Sequence, residues 1–571
     1  LASLSETAAG GKGHPREARA PRARRERHSL TKLFALVVCA IVLMPILTLA
    51  GIALTGTGEM WPHLVSNVLP RATLTTLQLL AMVSVLSASI GVTSAWLVVA
   101  YEFPFRKTLA WALVLPLAVP PYLAAYAFAE FFLFTGPVQT LYRAMFGFQT
   151  ARDYWFPDLR STGGVAFVLA FVLYPYVYLT SRIVFIMQGR NIADVARTLG
   201  ARPSAVFRRI LLPVARPAIV AGVALVLMET LNDMGAAEYL GVRTLTLTVF
   251  STWLNRGSLE GAAQIAMLML VLVFALLLAE QWARRRQRFH AARATHIVAR
   301  PPRTRLTGWK GPAATLAVLM PVLLGFGVPF YIFGSYASRR IDQLFDPALL
   351  RAFTHSVTTA STAAMLAVFV ALLLINAARV ARSRTVSLLT RFAMIGYALP
   401  GTIMGLGLLF ALARFDNALD ALMREHFDYS TGLLLTGSAT AVVLACSIRF
   451  LALAEGAIHS GLEKLPPNID HAARSLGQSS FGSAWRVLLP LLKPAILTAA
   501  VLVFVDTIKE LSATILLRPF GFNTLATFVY EQASRGVVQD GAVAALLIIL
   551  TALVPVVLLS GALMRDREAM L

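Results

Sequence analysis

The chain has 571 residues, 57% of them hydrophobic and 14% charged, with a formal net charge of +22, and its mean hydropathy is +0.69. That balance excludes an ordinary soluble domain and defines a polytopic membrane protein. The two cysteines, Cys39 and Cys446, lie inside apolar runs, which excludes a disulfide framework or thiolate metal site and leaves both as small core residues.

Residues 1–32 are polar and rich in arginine (Arg16, Arg19, Arg22, Arg24, Arg25, Arg27) and are expected to form a disordered basic cytoplasmic tail. A basic segment before an apolar one resembles a signal peptide, but no convincing cleavage site follows, so the first span is read as retained. A helix needs about 20 apolar residues to cross a bilayer. Candidate spans fall at 33–54, 73–100, 108–134, 163–187, 216–238 and 262–283, and, after a basic cytoplasmic linker at 284–312, at 313–335, 355–380, 388–414, 432–456, 493–515 and 542–564. The predicted fold is therefore all-α, with twelve transmembrane helices in two membrane domains, 33–283 and 313–571. Basic residues crowd the tail and the linker, beside apolar spans, which is the positive-inside pattern. It puts both termini in the cytoplasm and argues against nucleic acid as the partner of the positive charge.

One stretch occurs twice. NIADVARTLGARPSAVFRRILLPVARPAIV begins at Asn191, and NIDHAARSLGQSSFGSAWRVLLPLLKPAIL begins at Asn468; a shift of 277 superimposes Gly200 on Gly477, Pro213 on Pro490 and Pro217 on Pro494. In each copy Asn can cap a short helix that Gly ends. A second short helical run follows, with Val206, Phe207, Ile210 and Leu211, or Phe481, Trp485 and Leu488, on one side. Pro213 and Pro490 are expected to stop it, and Pro217 and Pro494 to open a long apolar helix. The halves thus repeat in parallel, each with a water-exposed elbow on the side of the basic segments. Val119-Pro120-Pro121 matches Leu399-Pro400-Gly401, where Pro and Gly either kink a helix or loosen packing beside a pore.

The repeated elbow resembles the cytoplasmic coupling loop of bacterial ABC importer permeases, with its Glu-Ala-Ala, Gly and Leu-Pro motif. The motif's acidic position is Asp194 in the first half and His471 in the second, with Asp470 just before it. The chain carries no G-x-x-x-x-G-K-[ST] phosphate loop, so the resemblance implies a transport subunit without enzyme activity. It implies a dimer of separate ATPase subunits, which hold ATP and Mg, docked on Asn191, Asp194, Ala196, Leu199 and Gly200 and on Asn468, His471, Ala472, Ala473, Leu476 and Gly477. No cofactor is expected on this chain.

Past each elbow lie acids within an apolar span: Glu229 and Asp233 in the fifth, and Asp506 and Glu510, with Lys509, at the corresponding positions of the eleventh. A spacing of four puts each pair on one helical face. Carboxylates at membrane depth are costly unless paired or lining a wet cavity, so they are expected at the interface between halves. Four acids favour a cationic substrate and offer hard oxygen ligands for transient passage of a metal ion; a structural network, with Lys509 neutralising Asp506 or Glu510, is the other reading. The stretches Leu231-Asn232-Asp233-Met234-Gly235 and Asp506-Thr507-Ile508-Lys509-Glu510-Leu511, with those that follow them, resemble ferric-iron ABC permeases, as does the fusion of two permease domains in one chain. The resemblance implies an inner-membrane importer of iron(III) delivered by a periplasmic binding protein. Fused permeases for thiamine and aminoethylphosphonate share the plan. An ion-coupled secondary transporter, which inverted repeats would mark, is the rival of a different class.

Overall fold

The computed structural model describes residues 22–55, 60–187, 203–285, 303–381, 383–466 and 468–565. Among them, ten helices are long and apolar enough to cross a membrane, and the spans reach twelve when each of two further bent pairs is counted as one span. In chain order these are Leu30–Ala53, Trp61–Ala100, the bent pair Arg106–Ala118 and Pro121–Phe146, Thr162–Ile186, Phe207–Asn232 and Leu259–Ala283. The second half has Lys310–Ser338, Pro347–Ala381, Gly401–Phe427, Thr440–Glu463, the bent pair Ala484–Leu491 and Lys493–Ile508, and Val538–Val557. Counted in that way, the number and order of spans agree with the sequence reading.

Each half is built on the same three-helix packing. The second, fourth and fifth spans pack together in the first half, and the eighth, tenth and eleventh in the second. Between halves the outer helices are exchanged. The first span lies on the ninth and the seventh on the third. Close approach of these helices needs small residues where backbones meet: a Cβ at Gly407 in the ninth span would sit 2.4 Å from the Pro45 carbonyl oxygen of the first.

Proline governs where spans break. Pro120 and Pro400 both adopt an extended conformation (φ −58°, ψ 143° and φ −55°, ψ 141°) and precede a new helix. The third span consequently bends by 100°, a sharper break than the kink or loosened packing that these prolines suggested within 108–134 and 388–414. Prolines after the elbows behave differently in the two halves. A five-residue π-turn, Phe207–Leu211 or Ala484–Leu488, precedes each Leu-Pro pair. Its i→i+5 bonding shifts the carbonyl register where a proline ring would clash with an ordinary turn. Pro213 therefore does not stop the helix as expected, and Leu212–Asn232 runs through Pro217 without a break. In the second half the chain does break at Leu492, with a bend of 67°.

Both polar segments carry structure of their own. The tail does not become helical only at the membrane: the first helix begins at Arg22, because nothing in Arg22–Lys32 breaks a helix that the apolar span already nucleates. The linker is fastened at its end. Thr304–Arg305 pairs in parallel with Tyr101–Glu102, and Glu102 bridges to Arg106 at 3.0 Å and to Arg303 at 3.5 Å.

The first elbow's Asn191, Asp194, Ala196, Leu199 and Gly200 lie outside the described residues. The second forms the expected short helix, Ile469–Ser475, and Gly477 ends it at φ +84°, a left-handed position that favours glycine. Ala473 is buried, while Asn468, Ala472 and Leu476 are exposed. The helix thus presents a face to water.

Candidate functional site

A cavity of about 110 Å³ lies where the two halves meet. Its walls come from the broken third span (Pro120, Pro121, Tyr122), the matching break before the ninth (Tyr397, Leu399, Pro400), and the ends of the fifth and eleventh spans. All five charged residues singled out from sequence, Glu229, Asp233, Asp506, Lys509 and Glu510, line it. The structure therefore brings them together across the duplicated axis.

Their placement on helices differs from the expectation. The fifth span ends at Asn232, and Asp233 is extended (φ −73°, ψ 122°), so Glu229 and Asp233 do not share a helical face. The cause is local: the Asp233 carboxylate accepts from the backbone N–H of Ala236 at 3.1 Å and Ala237 at 3.3 Å, capping the next helix, Gly235–Tyr239, and so turning the chain out of the previous one. Likewise the eleventh span ends at Ile508. Glu510 lies beyond it, accepting from the Ala513 N–H at 2.8 Å.

Ion pairing is unequal. Lys509 Nζ lies 2.6 Å from Asp506 Oδ1, which is the neutralising network considered as the alternative. Glu510 is paired too, through Oε2 at 2.6 Å to Nη1 of Arg449 in the tenth span, with both side chains less than a tenth exposed. Among the described residues no Lys or Arg bridges Glu229 or Asp233; Glu229 lines the cavity together with Tyr397. The cavity thus holds four carboxylates against two cations, with both cations committed to acids of the second half. No group of three or more His, Cys, Asp or Glu side chains suited to a metal ion occurs among the described residues.

Two hydrogen bonds sew the halves together at the cavity. Asn232 Oδ1 accepts from Gly401 N–H at 2.7 Å, and the Asn232 carbonyl accepts from Ser512 Oγ at 3.3 Å. Gly401 has no room for a side chain, because a Cβ would fall 2.6 Å from Arg449 Nη1 and 2.8 Å from Ser512 Cβ. Sequence reading missed Arg449, Tyr397 and Asn232. For Arg449 a signal was present, since a lone arginine within an apolar span is expensive and marks a functional position; Asn232 and Tyr397 carry no such mark.

A duplicated bundle of membrane helices enclosing a charged cavity at its pseudo-symmetric interface is the architecture of a transport protein's membrane domain. The chain belongs to the family of binding-protein-dependent transport system inner membrane components, whose model matches residues 87–289 and again 363–567. It is an all-α type I ABC permease with both permease domains in one polypeptide. It is 24% identical over 537 residues, 92% of this chain and 96% of the relative, to an Fe(3+)-transport system permease protein of Haemophilus influenzae. It is 29% identical over 206 residues, 36% of this chain and 71% of the relative, to a sulfate transport system permease protein of Salmonella typhimurium. A 2-aminoethylphosphonate transport system permease protein of Salmonella paratyphi A is 30% identical over 156 residues, 27% of this chain and 52% of the relative.

Proposed function

We propose that this permease moves iron(III) across the inner membrane after a periplasmic binding protein delivers it. The observation that carries the substrate reading is the cavity's excess of carboxylates over cations, with Glu229 and Asp233 left unbridged among the described residues. Such a field lowers the free energy of a highly charged cation, and carboxylate oxygens are the hard donors that it prefers. The full-length similarity to a ferric permease supports the same substrate.

In this reading ATP and Mg bind separate ATPase subunits in the cytoplasm. These grip the second elbow at Asn468, His471, Ala472, Ala473, Leu476 and Gly477, and the first at Asn191, Asp194, Ala196, Leu199 and Gly200. Closure of the ATPase dimer then rocks one half against the other and opens the cavity on alternate sides. Both termini lie in the cytoplasm, and the ion is held only in transit. Asn232, which bonds to both Gly401 and Ser512, sits where that rocking must part the halves.

The cations favour a second reading. Arg449 and Lys509 could receive an oxyanion if their acids were displaced, in line with the relatives named for sulfate and 2-aminoethylphosphonate. Proteoliposomes holding the permease with its ATPase and binding protein decide between them. The expected outcome is ATP-dependent uptake of radiolabelled iron(III), reduced at least about tenfold by Glu229→Gln, the loss typical of removing a positioned charge. Uptake of labelled phosphonate or sulfate with iron excluded would replace the substrate and leave the permease role intact.

A further inference from the structure

The two halves repeat closely enough to show what the second lacks. After the fifth and eleventh spans a shift of 280 aligns Glu238-Tyr239-Leu240-Gly241 with Arg518-Pro519-Phe520-Gly521, and both glycines have positive φ, +72° and +75°. The same shift pairs Thr76 with Ser356, whose hydroxyls accept from the backbone N–H of Leu245 and Leu525 at 2.9 Å and 2.7 Å. The scaffold is therefore equivalent on both sides. Its oxygen atoms are not: Tyr122, Tyr126 and Glu238 of the first half correspond to Thr402, Leu406 and Arg518 of the second.

These one-sided groups form a line. Asp233 and Tyr122 border the cavity. Tyr122 is 4% exposed, and its hydroxyl has no hydrogen-bond partner among the described residues. One turn farther along the same helix, the Tyr126 ring lies 5.8 Å from that of Tyr122 and 4.5 Å from that of Tyr239, the residue next to Glu238. Glu238 Oε2 accepts from the Tyr530 hydroxyl at 2.8 Å, across the two halves. Glu238 and Tyr530 lie past the ends of the fifth and eleventh spans that are remote from the elbows, and both are only partly buried. At Tyr126 packing alone does not call for the oxygen, since Leu406 fills the corresponding place in the second half.

We propose that Glu238 and Tyr530, with Tyr126 behind them, form an outer cation station through which a hard, highly charged metal ion enters the acidic cavity. The proposal rests on the cationic-cargo reading above. On binding, the Tyr530 hydroxyl gives its proton to water, its phenolate and the Glu238 carboxylate each displace one water ligand from the ion, and the chelate that brought the ion keeps the rest. Phenolate and carboxylate are the hard donors such an ion takes in preference to imidazole or thiolate. Without the ion, the Glu238–Tyr530 hydrogen bond joins the halves at the station.

The test is titration of the purified full-length chain with iron(III) nitrilotriacetate, read by the visible phenolate-to-iron(III) charge-transfer band. The band is expected in the wild type and in Tyr142→Phe, a change in an exposed helix away from the line. It should be lost in Tyr530→Phe, and Glu238→Gln should weaken apparent affinity about tenfold or more. The amide of Glu238→Gln still accepts from Tyr530, so a merely structural contact would survive that change with no loss of binding. No band, or a band indifferent to both variants, overturns the station even if the intact transporter takes up iron. A band that follows the variants establishes it, and absence of uptake would then remove only iron as the cargo.

Discussion

Arg449 and Glu510 meet at 2.6 Å in a site that leaves each less than a tenth exposed. A buried pair of this kind is not a large net source of stability, because desolvating both charges offsets most of their attraction; removing one partner, however, strands the other charge and costs about 3–5 kcal/mol. Glu510 carries a second task, accepting from the Ala513 N–H, which fixes the chain after the eleventh span. Glu510→Gln should thus lower the thermal unfolding midpoint sharply, whereas Glu510→Gln combined with Arg449→Met should recover most of the loss. Equal midpoints for single and double variants would refute the pair as described. Gly401 is tied to the same contact: Gly401→Ala forces a methyl group against the guanidinium and should weaken the protein by about 1–3 kcal/mol, the usual cost of overpacking. The five charged residues chosen from sequence all reach the cavity, because carboxylates and ammonium groups in apolar spans have few other places to go. Arg449 obeyed the same rule and was overlooked, and its choice of Glu510 over Glu229 depends on where the tenth span packs.

At the scale of elements, the second elbow shows how far local chemistry reaches. Asn468, Gly477 and the eight residues that separate them define a short helix, and the chain forms it at Ile469–Ser475 with glycine at φ +84°. Leu476 is 84% exposed at its end, an apolar side chain held in water beside a tight turn, which suits a partner's groove. Gly477→Asp should abolish substrate-stimulated ATP hydrolysis in the assembled transporter while membrane insertion is kept and stability falls by no more than about 1–2 kcal/mol, the left-handed penalty of a single non-glycine residue. Retained stimulation would remove this helix as the docking element. Local rules failed at Pro213. The motif is shared with Pro490, yet one helix continues and the other bends by 67°. The π-turn before each proline makes both outcomes accessible, and the packing of each span on its neighbours selects one.

The whole molecule is held by exchange. The first span packs on the ninth and the seventh on the third, so neither half completes its own bundle. If that exchange carries assembly, residues 1–302 and 303–571 expressed as separate polypeptides should copurify from membranes, and Gly407→Val, which drives a branched side chain into the Pro45 carbonyl, should abolish copurification. Halves that purify alone and stable would contradict the exchange. The interface so formed also contains the cavity.

Sequence by itself determined the membrane environment, the twelve spans, the parallel duplication, the second elbow and the set of acids, because each rests on composition, period or spacing within a short stretch. Tertiary structure decided which helices are exchanged between halves, that Asp506 and Glu510 pair with Lys509 and Arg449 while no Lys or Arg bridges Glu229 or Asp233 among the described residues, and that Asn232 joins the halves. It also brought Glu238 against Tyr530, 292 positions away. These are contacts between side chains far apart in the chain, and such contacts exist only once helices of the two halves have packed; no local periodicity encodes them.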